Sequence, residues 1–298
     1  MQKNQPKRRI EVTGVSNGFQ FGIIECRYFP KPTQQRRCFE LLYINKGEGL
    51  CFAGDQITQF LPGELLFFGV DTPHYLKSAK QFYAPNYPLR CGATSVKFNE
   101  GVLPSEYSSL LDCDNINHLI KSSQRGIRWH SNSINSQIVS DIESMEQLPG
   151  LERYIQLLRV LNKLGEMLAA GDGEMISTAR SEESLHTYDG AYQHVIEFIS
   201  HNFHRNITLD ELAEHTKMNR TALCRHFRGH AGRSIFEYLL EFRLNYAKQM
   251  LQTTNLPIAE IAQSAGFNNL PNFNVQFKRS TTITPGEYRI RNYVKESL

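Results

Sequence analysis

Residues 257–289 of the chain, PIAEIAQSAGFNNLPNFNVQFKRSTTITPGEYR, decide the fold of its C-terminal part. Apolar residues recur there at helical spacing, and the segment Ala265–Asn268 interrupts them as a tight turn would. Pro285 stands at the first position of the last predicted helix, where its missing amide hydrogen costs nothing. A second stretch, ITLDELAEHTKMNRTALCRHFRGHAGRSIFEYL at residues 207–239, follows the same plan. The C-terminal region therefore contains an internal repeat.

The two copies align at a shift of 49 residues, which becomes 50 after one extra residue in the second copy. The matched positions are apolar, small or capping residues: Leu212 with Ile261, Ala213 with Ala262, Met218 with Phe267, Leu223 with Phe273, Phe227 with Phe277, Ser234 with Thr284 and Tyr238 with Tyr288. Each copy predicts a short helix, a tight turn, a second helix with two buried apolar side chains, and a capped third helix. This is the helix-turn-helix plan, and it occurs twice, joined by an apolar helix over Ile235–Leu251.

The region before the repeat has a different pattern of apolar and turn residues. From residue 10 to 100, short apolar runs such as Phe39–Ile44 alternate with turn residues such as Pro62 and Gly63, which predicts an antiparallel β-sandwich or β-barrel. Residues 101–170 carry apolar residues at helical spacing, and the predicted helices are Ser105–Leu111, Asn115–Ser122, Asn132–Met145 and Leu151–Ala170. Residues 171–190 are polar and hold three glycines, so we expect a linker there, and residues 1–9 are expected to be a basic tail.

The composition is that of a globular protein with room for two domains, with 298 residues of which 40% are apolar and 21% charged. No apolar run approaches the ~18 residues of a membrane span, and none follows the basic N-terminus as in a secretory leader. We therefore expect a cytoplasmic protein with no membrane partner. The six cysteines form no C-x-x-C pair, which predicts free thiols. A collagen, a coiled coil and a disulfide scaffold are excluded.

Positive charge is concentrated at the C-terminal end of the chain. Residues 191–298 hold 13 Lys and Arg against 9 Asp and Glu, whereas residues 1–190 hold 20 against 21. A basic domain attracts the phosphates of nucleic acid. The bias is mild, and it indicates where in the chain DNA-binding residues are to be sought.

Residues 191–298 resemble the DNA-binding domain of the AraC/XylS family of bacterial transcription regulators. The residues that carry this resemblance are Ile207–Ala213, Leu223–Arg228, Pro257–Ala262, Ala265–Phe267, Phe273–Lys278 and Thr284–Arg289. The N-terminal part resembles the cupin-like sensor domain that many family members carry, through Lys46–Gly49, Pro62–Glu64 and Pro73 with His74.

The resemblance implies a multidomain α and β protein. We expect an N-terminal cupin-like antiparallel β-barrel sensor over residues 10–100, followed by a helical dimerisation or packing segment over residues 101–170. The linker at residues 171–190 then leads to an all-α DNA-binding domain with two helix-turn-helix motifs at residues 191–298.

The resemblance also implies which residues read double-stranded promoter DNA. The second helix of each copy, Arg220–Arg228 and Leu270–Arg279, is expected in a major groove. The expected contacts are Arg220, Thr221, Cys224, Arg225 and Arg228 in the first of these helices, and Leu270, Asn272, Val275, Lys278 and Arg279 in the second. Arg225 can present two parallel donors to a guanine. The second helix has fewer hydrogen-bonding side chains, so we expect it to act more through Lys278, Arg279 and its N-terminal amides on phosphates.

The N-terminal region offers few residues for chemistry. His74 and Tyr43 are the candidates for binding a small-molecule effector. Cupin-type enzymes need two or three histidines with a carboxylate around one metal ion, and the strand region has His74 alone. The carboxylates Glu40, Glu48 and Glu64 follow turns or alternate with apolar residues, as solvated positions do. We therefore expect no catalytic residues, no metal and no cofactor.

Two functions remain open at this point. In one, the protein is an effector-responsive transcription regulator, which the resemblance implies is an activator that recruits RNA polymerase. In the other, it is a DNA-binding regulator that senses nothing and whose barrel only forms a homodimer. The helices predicted over residues 132–145 and 151–170 are expected either to form the dimer surface or to pack on the outside of the barrel. A cupin-type enzyme is a third alternative, for which the metal ligands are missing.

Overall fold

The structure is a computed structural model that describes residues 9–16, 18–29, 38–54, 56–70, 72–84, 86–103, 113–177 and 190–293. The chain divides into two compact units, of which the first ends at Ser181 and the second begins at Glu182. The helix predicted over Ser105–Leu111, most of the basic tail and most of the expected linker lie outside the described residues.

The first unit is built on antiparallel strands, as predicted. They are β1 (Arg9–Ser16), β2 (Phe19–Cys26), β3 (Phe39–Lys46), β4 (Gly49–Ala53), β5 (Gln56–Phe60), β6 (Leu65–Phe68), β7 (His74–Ser78), β8 (Cys91–Phe98), β9 (Ile127–Trp129) and β10 (Glu174–Met175). They form a seven-stranded sheet in the order β1-β2-β8-β3-β6-β9-β10 and a three-stranded sheet in the order β5-β4-β7. Among the described residues the strands thus form two sheets rather than one closed barrel, and the cupin-like closure stays a prediction.

The two sheets share one apolar core. Leu42, Leu66 and Phe68 of the large sheet are buried together with Cys51 and Phe60 of the small sheet. Side chains alternate between the two faces along a strand, so the neighbours of these residues point to the opposite face of the large sheet. That opposite face is also buried, because helices cover it.

Three helices cover this outer face: α1 (Asp114–Ser122), α2 (Ser136–Ser144) and α3 (Gly150–Ala169). Their apolar side chains, which include Leu119, Ile142 and Leu161, share a core with Leu41 and Trp129 of the large sheet. These helices therefore pack on the sheet, and a dimer surface on their outer side stays a prediction. Because both faces of the large sheet are covered, its charged residues need partners within the protein.

The first unit extends past residue 171, where the linker was expected to begin. β10 pairs with β9 through Glu174 and Met175, and Ile176 is buried in the core between the sheets. Arg128 of β9 holds this strand through an ion pair with Glu174 at 2.6 Å. A polar, glycine-containing composition predicts a linker, but two backbone pairs, one ion pair and one buried side chain are enough to hold the segment on the sheet.

The second unit is helical, as predicted. Its helices are α4 (Gly190–Asn202), α5 (Leu209–Thr216), α6 (Arg220–Ala231), α7 (Ile235–Thr253), α8 (Ile258–Ser264), α9 (Leu270–Thr281) and α10 (Pro285–Tyr293). The pairs α5–α6 and α8–α9 are the two predicted helix-turn-helix motifs, and α7 joins them. Leu239, Phe242 and Ala247 of α7 are buried, as the apolar pattern of this helix predicts.

The repeat extends to the backbone conformation. The turn residue before the second helix is left-handed in both copies, Lys217 with φ 57° and Gly266 with φ 85°. Each second helix begins after an asparagine, Asn219 or Asn269, whose side chain accepts a first-turn amide at 2.8 Å. The pattern of matched apolar positions therefore reflects a true structural duplication.

Candidate nucleic-acid interface

α6 presents one apolar and one polar face. Leu223 and Phe227 point into the domain and are fully buried. The five residues predicted to contact DNA lie outside this buried face and are all exposed: Arg220, Thr221, Cys224, Arg225 and Arg228. Residues three or four apart on a helix share a face, so Thr221, Cys224, Arg225 and Arg228 form one stripe.

Two arginines of α6 have acidic neighbours. Arg220 forms an ion pair with Asp210 of α5, and the two side chains are 63% and 64% exposed. Arg228 lies near Glu237, whose pKa is lowered first by hydrogen bonds from the side chain and backbone of Ser234 and further by Arg228. Exposed ion pairs contribute little to stability, so Arg220 can exchange Asp210 for a phosphate at small cost.

α9 repeats this arrangement with different chemistry. Phe273 and Phe277 are fully buried. The predicted contact residues of this helix are again all exposed: Leu270, Asn272, Val275, Lys278 and Arg279. Leu270 and Val275 are 38% and 64% exposed, so this face offers apolar contacts beside one amide and two cations. Apolar side chains in a major groove can contact the methyl group of thymine.

The N-terminus of α9 offers fewer amides than we expected from the sequence. The Asn272 amide donates to the side chain of Asn269 at 2.8 Å, and the Phe273 amide donates to the Asn269 carbonyl oxygen at 3.3 Å. Pro271 has no amide hydrogen. Of the first four residues of α9, Leu270 alone keeps an amide that can reach a phosphate, so the expected set of amides is reduced to one.

One arginine of α7 connects the two copies. Arg243 donates from Nε to the carbonyl oxygen of Phe203 and from Nη2 to that of Arg205, both at 2.8 Å. Gly266 lies against the same group: a Cβ atom there would come within 2.3 Å of the Phe203 oxygen and 2.9 Å of Arg243 Nε. The chain after α4, the middle of α7 and the turn before α9 therefore meet at one point, which we call the Arg243 junction. It positions the two motifs relative to each other.

Sequence patterns missed Arg243 and the two capping residues Asn219 and Asn269. Asparagine just before a helix is a recognisable cap signal, so both caps were within reach of prediction. An arginine within an apolar helix gives no indication of its acceptors, and here they lie 40 and 38 residues away along the chain.

In the first unit the two predicted effector residues do not come together. The ring of His74, on β7, stacks on Phe68 with 3.8 Å between ring centroids and so faces the core between the sheets. Tyr43, on β3, packs against the core under the helices, where burial and the nearby Glu143 raise its pKa. The two residues lie on opposite sides of the large sheet and cannot line one pocket.

His74 belongs to a buried polar network around Glu40. Its Nε2 is 3.1 Å from Glu40 Oε2, and its Nδ1 is 2.8 Å from the Thr72 carbonyl oxygen. Glu40 also accepts from Ser95 Oγ at 2.8 Å and pairs with Lys97 Nζ at 3.2 Å. Burial raises the pKa of Glu40, but the hydrogen bond from His74 and the charge of Lys97 outweigh it and hold the pKa at about 2. His74 is thus hydrogen-bonded within the fold, as expected, whereas the prediction that Glu40 is solvated is wrong.

Glu64 is a second carboxylate that was predicted to be solvated and is buried. It is 2% exposed, accepts the Leu61 amide at 3.0 Å, and accepts from His130 Nδ1 at 2.8 Å. Glu48 is half-buried and accepts from Gln81 at 2.7 Å. Acidic residues that alternate with apolar ones are solvent-exposed only when one face of the sheet is exposed to solvent. Both faces of the large sheet are covered.

The two histidine–glutamate pairs, His74 with Glu40 and His130 with Glu64, do not form a metal site in the described part of the chain. Among the residues that the structure describes, no three His, Cys, Asp or Glu side chains stand as a group able to hold a metal ion. His74 with Glu40 and His130 with Glu64 are hydrogen-bonded pairs. Over the same described ranges, no helix is long and apolar enough to cross a membrane.

Comparison with known protein families supports the interpretation of the second unit. A family model described as a helix-turn-helix domain matches residues 212–291, which include both α6 and α9. The match lies within the C-terminal domain and takes in a little over a quarter of the chain. The AraC-type resemblance deduced from the sequence motifs is thereby confirmed.

Several relatives of the chain are named as regulators. It is 34% identical over 102 residues to YtdP, an uncharacterized HTH-type transcriptional regulator of Bacillus subtilis, covering 34% of this chain and 13% of YtdP. It is 30% identical over 132 residues to the arabinose operon regulatory protein of Escherichia coli, covering 43% and 45%. It is 23% identical over 259 residues to the HTH-type transcriptional activator RhaR of Enterobacter sp., covering 85% of each chain. The chain thus spans less than half of the first two relatives and most of the third.

Proposed function

We propose that the protein is a sequence-specific DNA-binding transcription regulator that reads two successive major grooves with α6 and α9. One observation carries the proposal above all: both helices bury an apolar pair and expose the residues predicted to contact DNA. The second helix of a helix-turn-helix pair enters the major groove, and successive major grooves on one side of B-DNA lie about 34 Å apart. The positive balance of residues 191–298 favours contact with phosphates.

The two helices divide the work of recognition. α6 supplies hydrogen-bonding specificity, because Arg225 can bind guanine O6 and N7 and Thr221 can bind a base edge or a thymine methyl. Cys224 lies between them on the same stripe, and Arg220 and Arg228 flank it as phosphate contacts. α9 supplies fewer hydrogen bonds to bases: Asn272 suits adenine, and Leu270 and Val275 suit thymine methyls. Lys278 and Arg279 bind phosphates.

We infer that the first unit is a cupin-like sensor for a small organic effector. It contains a cleft of about 690 Å³ whose lining includes Phe21, Ile23, Lys46 and Glu143. Apolar walls with charged groups around them suit a polar organic molecule with an apolar part. Tyr43 lies close to Glu143 and remains a candidate for contact with the effector. His74 faces the other side of the sheet, so it affects the effector response only indirectly.

A homodimer formed through α3 fits the exposed apolar residues of that helix. Leu151 and Ile155 are 68% and 41% exposed, four residues apart on one face of the helix. Covering such residues in a second copy would remove apolar surface from water. The name of RhaR, a transcriptional activator, favours activation over repression. We propose that this activation works by recruiting RNA polymerase. Such a regulator works in the cytoplasm, where the bacterial chromosome is.

The alternative is a DNA-binding regulator whose first unit dimerises and senses nothing. A thermal shift of the full-length protein with candidate small molecules separates the two functions, because only a sensor is stabilised by its effector. An enzymatic function is not proposed, since the three relatives compared above are named as regulators and none as an enzyme.

Selection of bound fragments from the source genome with the full-length protein tests the proposal. The double variant Arg225→Ala with Arg228→Ala should bind the selected fragments much more weakly. Arg90→Ala is the matched control, because Arg90 is an exposed arginine before β8, outside the DNA-binding domain. A protein that selects no common sequence, or variants that bind alike, would contradict sequence-specific reading by α6.

A further inference from the structure

Two cysteines of the first unit stand directly opposite each other on neighbouring strands. Cys26 is the last residue of β2, Cys91 is the first residue of β8, and the two are Cα partners in the antiparallel pairing. Directly opposite residues point to the same face, with Cβ atoms about 4.5–5.5 Å apart. A disulfide needs Cα atoms about 4.4–6.8 Å apart and Cβ atoms about 3.5–4.5 Å apart. The ends of two strands can reach this geometry by a small adjustment.

The surroundings hold the Cys91 sulfur in place. Cys26 and Cys91 are 2% and 1% exposed and belong to the core between the sheets. Cys91 Sγ is 3.2 Å from Ser78 Oγ, which accepts the Phe29 amide at 2.9 Å. Gly47 passes so close that a Cβ atom there would lie 2.7 Å from Cys91 Sγ. Burial raises the pKa of Cys91, and hydrogen bonds from Ser78 and the Phe29 backbone partly offset this.

An aromatic cover lies beside the pair. The Tyr83 ring stacks on Tyr28 with 4.4 Å between centroids, and Arg27 donates to the carbonyl oxygens of Tyr83 and Ala84. Tyr83 is 41% exposed. Burial first, and then Tyr28, Cys91 and Cys26, raise the pKa of Tyr83 to about 12. Tyr28 packs against the core that holds both cysteines, and Tyr83 is the more exposed ring of the pair.

We propose that Cys26 and Cys91 form a redox site that a hydroperoxide converts into a cross-strand disulfide. Burial disfavours ionisation of Cys91 and the hydrogen bonds from Ser78 and the Phe29 backbone favour it. Once ionised, the Cys91 thiolate attacks the peroxide; the O–O bond breaks, the leaving oxygen takes the thiol proton and departs as an alcohol or water, and Cys91 becomes a sulfenic acid. The Cys26 sulfur then attacks Cys91 Sγ; the S–O bond breaks and water leaves with the Cys26 proton. The two sulfurs together give two electrons to the peroxide.

The other cysteines lack this arrangement. Cys51 is buried like the pair, but its cross-strand partner is Leu76. Cys224 is exposed on α6. Cys51 therefore serves as a buried control, and Cys224 shows whether the oxidant has reacted with accessible thiols.

Peptide mapping of the oxidised full-length protein tests the proposal. The reduced protein is treated with hydrogen peroxide, its remaining thiols are alkylated under denaturing conditions, and trypsin then separates the cysteines by cleaving after Arg27, Arg90 and Lys97. We expect peptide 91–97 linked to the peptide that ends at Arg27, released by a reducing agent. We also expect oxidation to raise the midpoint of thermal unfolding, followed by Trp129 fluorescence, by about 5–10 °C, because the bond closes a long loop.

The variants sharpen the test. The linked peptide and the thermal shift should persist in Cys51→Ser and disappear in Cys26→Ser and Cys91→Ser. The mapping of the unsubstituted protein needs no variant, so the outcome does not depend on how a variant folds. Oxidised Cys224 together with unlinked Cys26 and Cys91, or a disulfide between other cysteines, would overturn the proposal.

Discussion

Arg225 is the residue on which the proposed base reading depends most. It is exposed on α6, one position from Cys224 and four from Thr221, and the neighbouring Leu223 and Phe227 fix the orientation of the helix by their burial. We predict that Arg225→Ala weakens binding to the selected DNA by about 1–3 kcal/mol, or roughly 5- to 150-fold in Kd, and relaxes preference at one base pair. Fluorescence anisotropy with the selected site and its single-base variants measures both effects.

Val275→Ala is the matched control on the other helix. Val275 is 64% exposed and can make only methyl contacts, so the loss in affinity should be well below that of Arg225→Ala. Equal losses for the two variants would contradict the division of work between α6 and α9.

Glu40 makes the stability of the first unit depend on acid pH. Its pKa in the folded protein is about 2, below the ordinary value of 4.5. A depressed pKa means that the stabilisation is present above about pH 4.5 and is lost as the pH falls toward 2. We predict that acidification across this window removes up to about 3 kcal/mol through this group. Urea unfolding followed by the fluorescence of Trp129 measures the change. Trp129 is the chain's one tryptophan and is fully buried in this unit.

Glu40→Gln isolates this contribution from that of other carboxylates. The variant should be less stable than the unsubstituted protein at pH 7, because His74 and Lys97 lose their charged partner. The two proteins should converge in stability toward pH 2. A constant difference between them across the whole range would show that the Glu40 charge does not stabilise the fold.

At the scale of elements, the Arg243 junction is expected to hold α6 and α9 in register with the DNA. Arg243→Met removes two hydrogen bonds to the carbonyl oxygens of Phe203 and Arg205. The unsubstituted protein is expected to bind DNA with both half-sites more tightly than DNA with the α6 half-site alone. We predict that the variant keeps its affinity for the single half-site and loses most of this gain. Anisotropy titrations with the two DNA fragments give this ratio directly.

Lys248→Met is the control for the junction. Lys248 is another half-buried cation of α7, whose pKa is lowered by burial, and its Nζ contacts Asn245 at 3.3 Å rather than the chain after α4. It should leave the ratio between the two DNA fragments close to that of the unsubstituted protein. An unchanged ratio in Arg243→Met would refute the positioning role.

Elements with repeated, local signals could be predicted from the sequence. The second helices were expected at Arg220–Arg228 and Leu270–Arg279, and they are found at Arg220–Ala231 and Leu270–Thr281. The exposure of Arg225 followed from the spacing of Leu223 and Phe227, and the other contact residues are those that the family resemblance implies. Turn and cap chemistry lies within four residues of each helix end, so no distant contact is needed to recognise it.

What depends on distant contacts could not be predicted. Glu40 is enclosed because His74 of the small sheet, 34 residues later in the chain, pairs with it, and the buried Glu64 is paired with His130, 66 residues later. The opposition of Cys26 and Cys91 requires the register of β2 on β8. The partners of Arg243 lie in a loop that precedes both helix-turn-helix motifs. Spacing along the sequence carries no information on any of these pairings.

At the scale of the whole molecule, the charge difference between the units predicts how binding responds to salt. The excess of basic residues lies in residues 191–298. We predict that the logarithm of the affinity for the selected DNA falls linearly with the logarithm of the salt concentration, with a slope of about −0.9 per phosphate neutralised. Arg228→Ala should reduce this slope by about one, whereas Arg90→Ala should leave it unchanged. A salt-independent affinity would contradict binding through phosphates.

The central claim is that one chain reads two successive major grooves, and guanine-methylation interference on the selected DNA tests it most directly. A methyl group at guanine N7 projects into the major groove. It prevents binding only at guanines where a recognition helix occupies that groove. The duplicated geometry of α6 and α9 predicts, for each bound chain, two patches of interference on one side of the duplex, about 10 base pairs apart from centre to centre. Arg225→Ala should weaken interference in the α6 patch alone. A single patch per chain, or two patches that both respond to Arg225→Ala, would contradict the account.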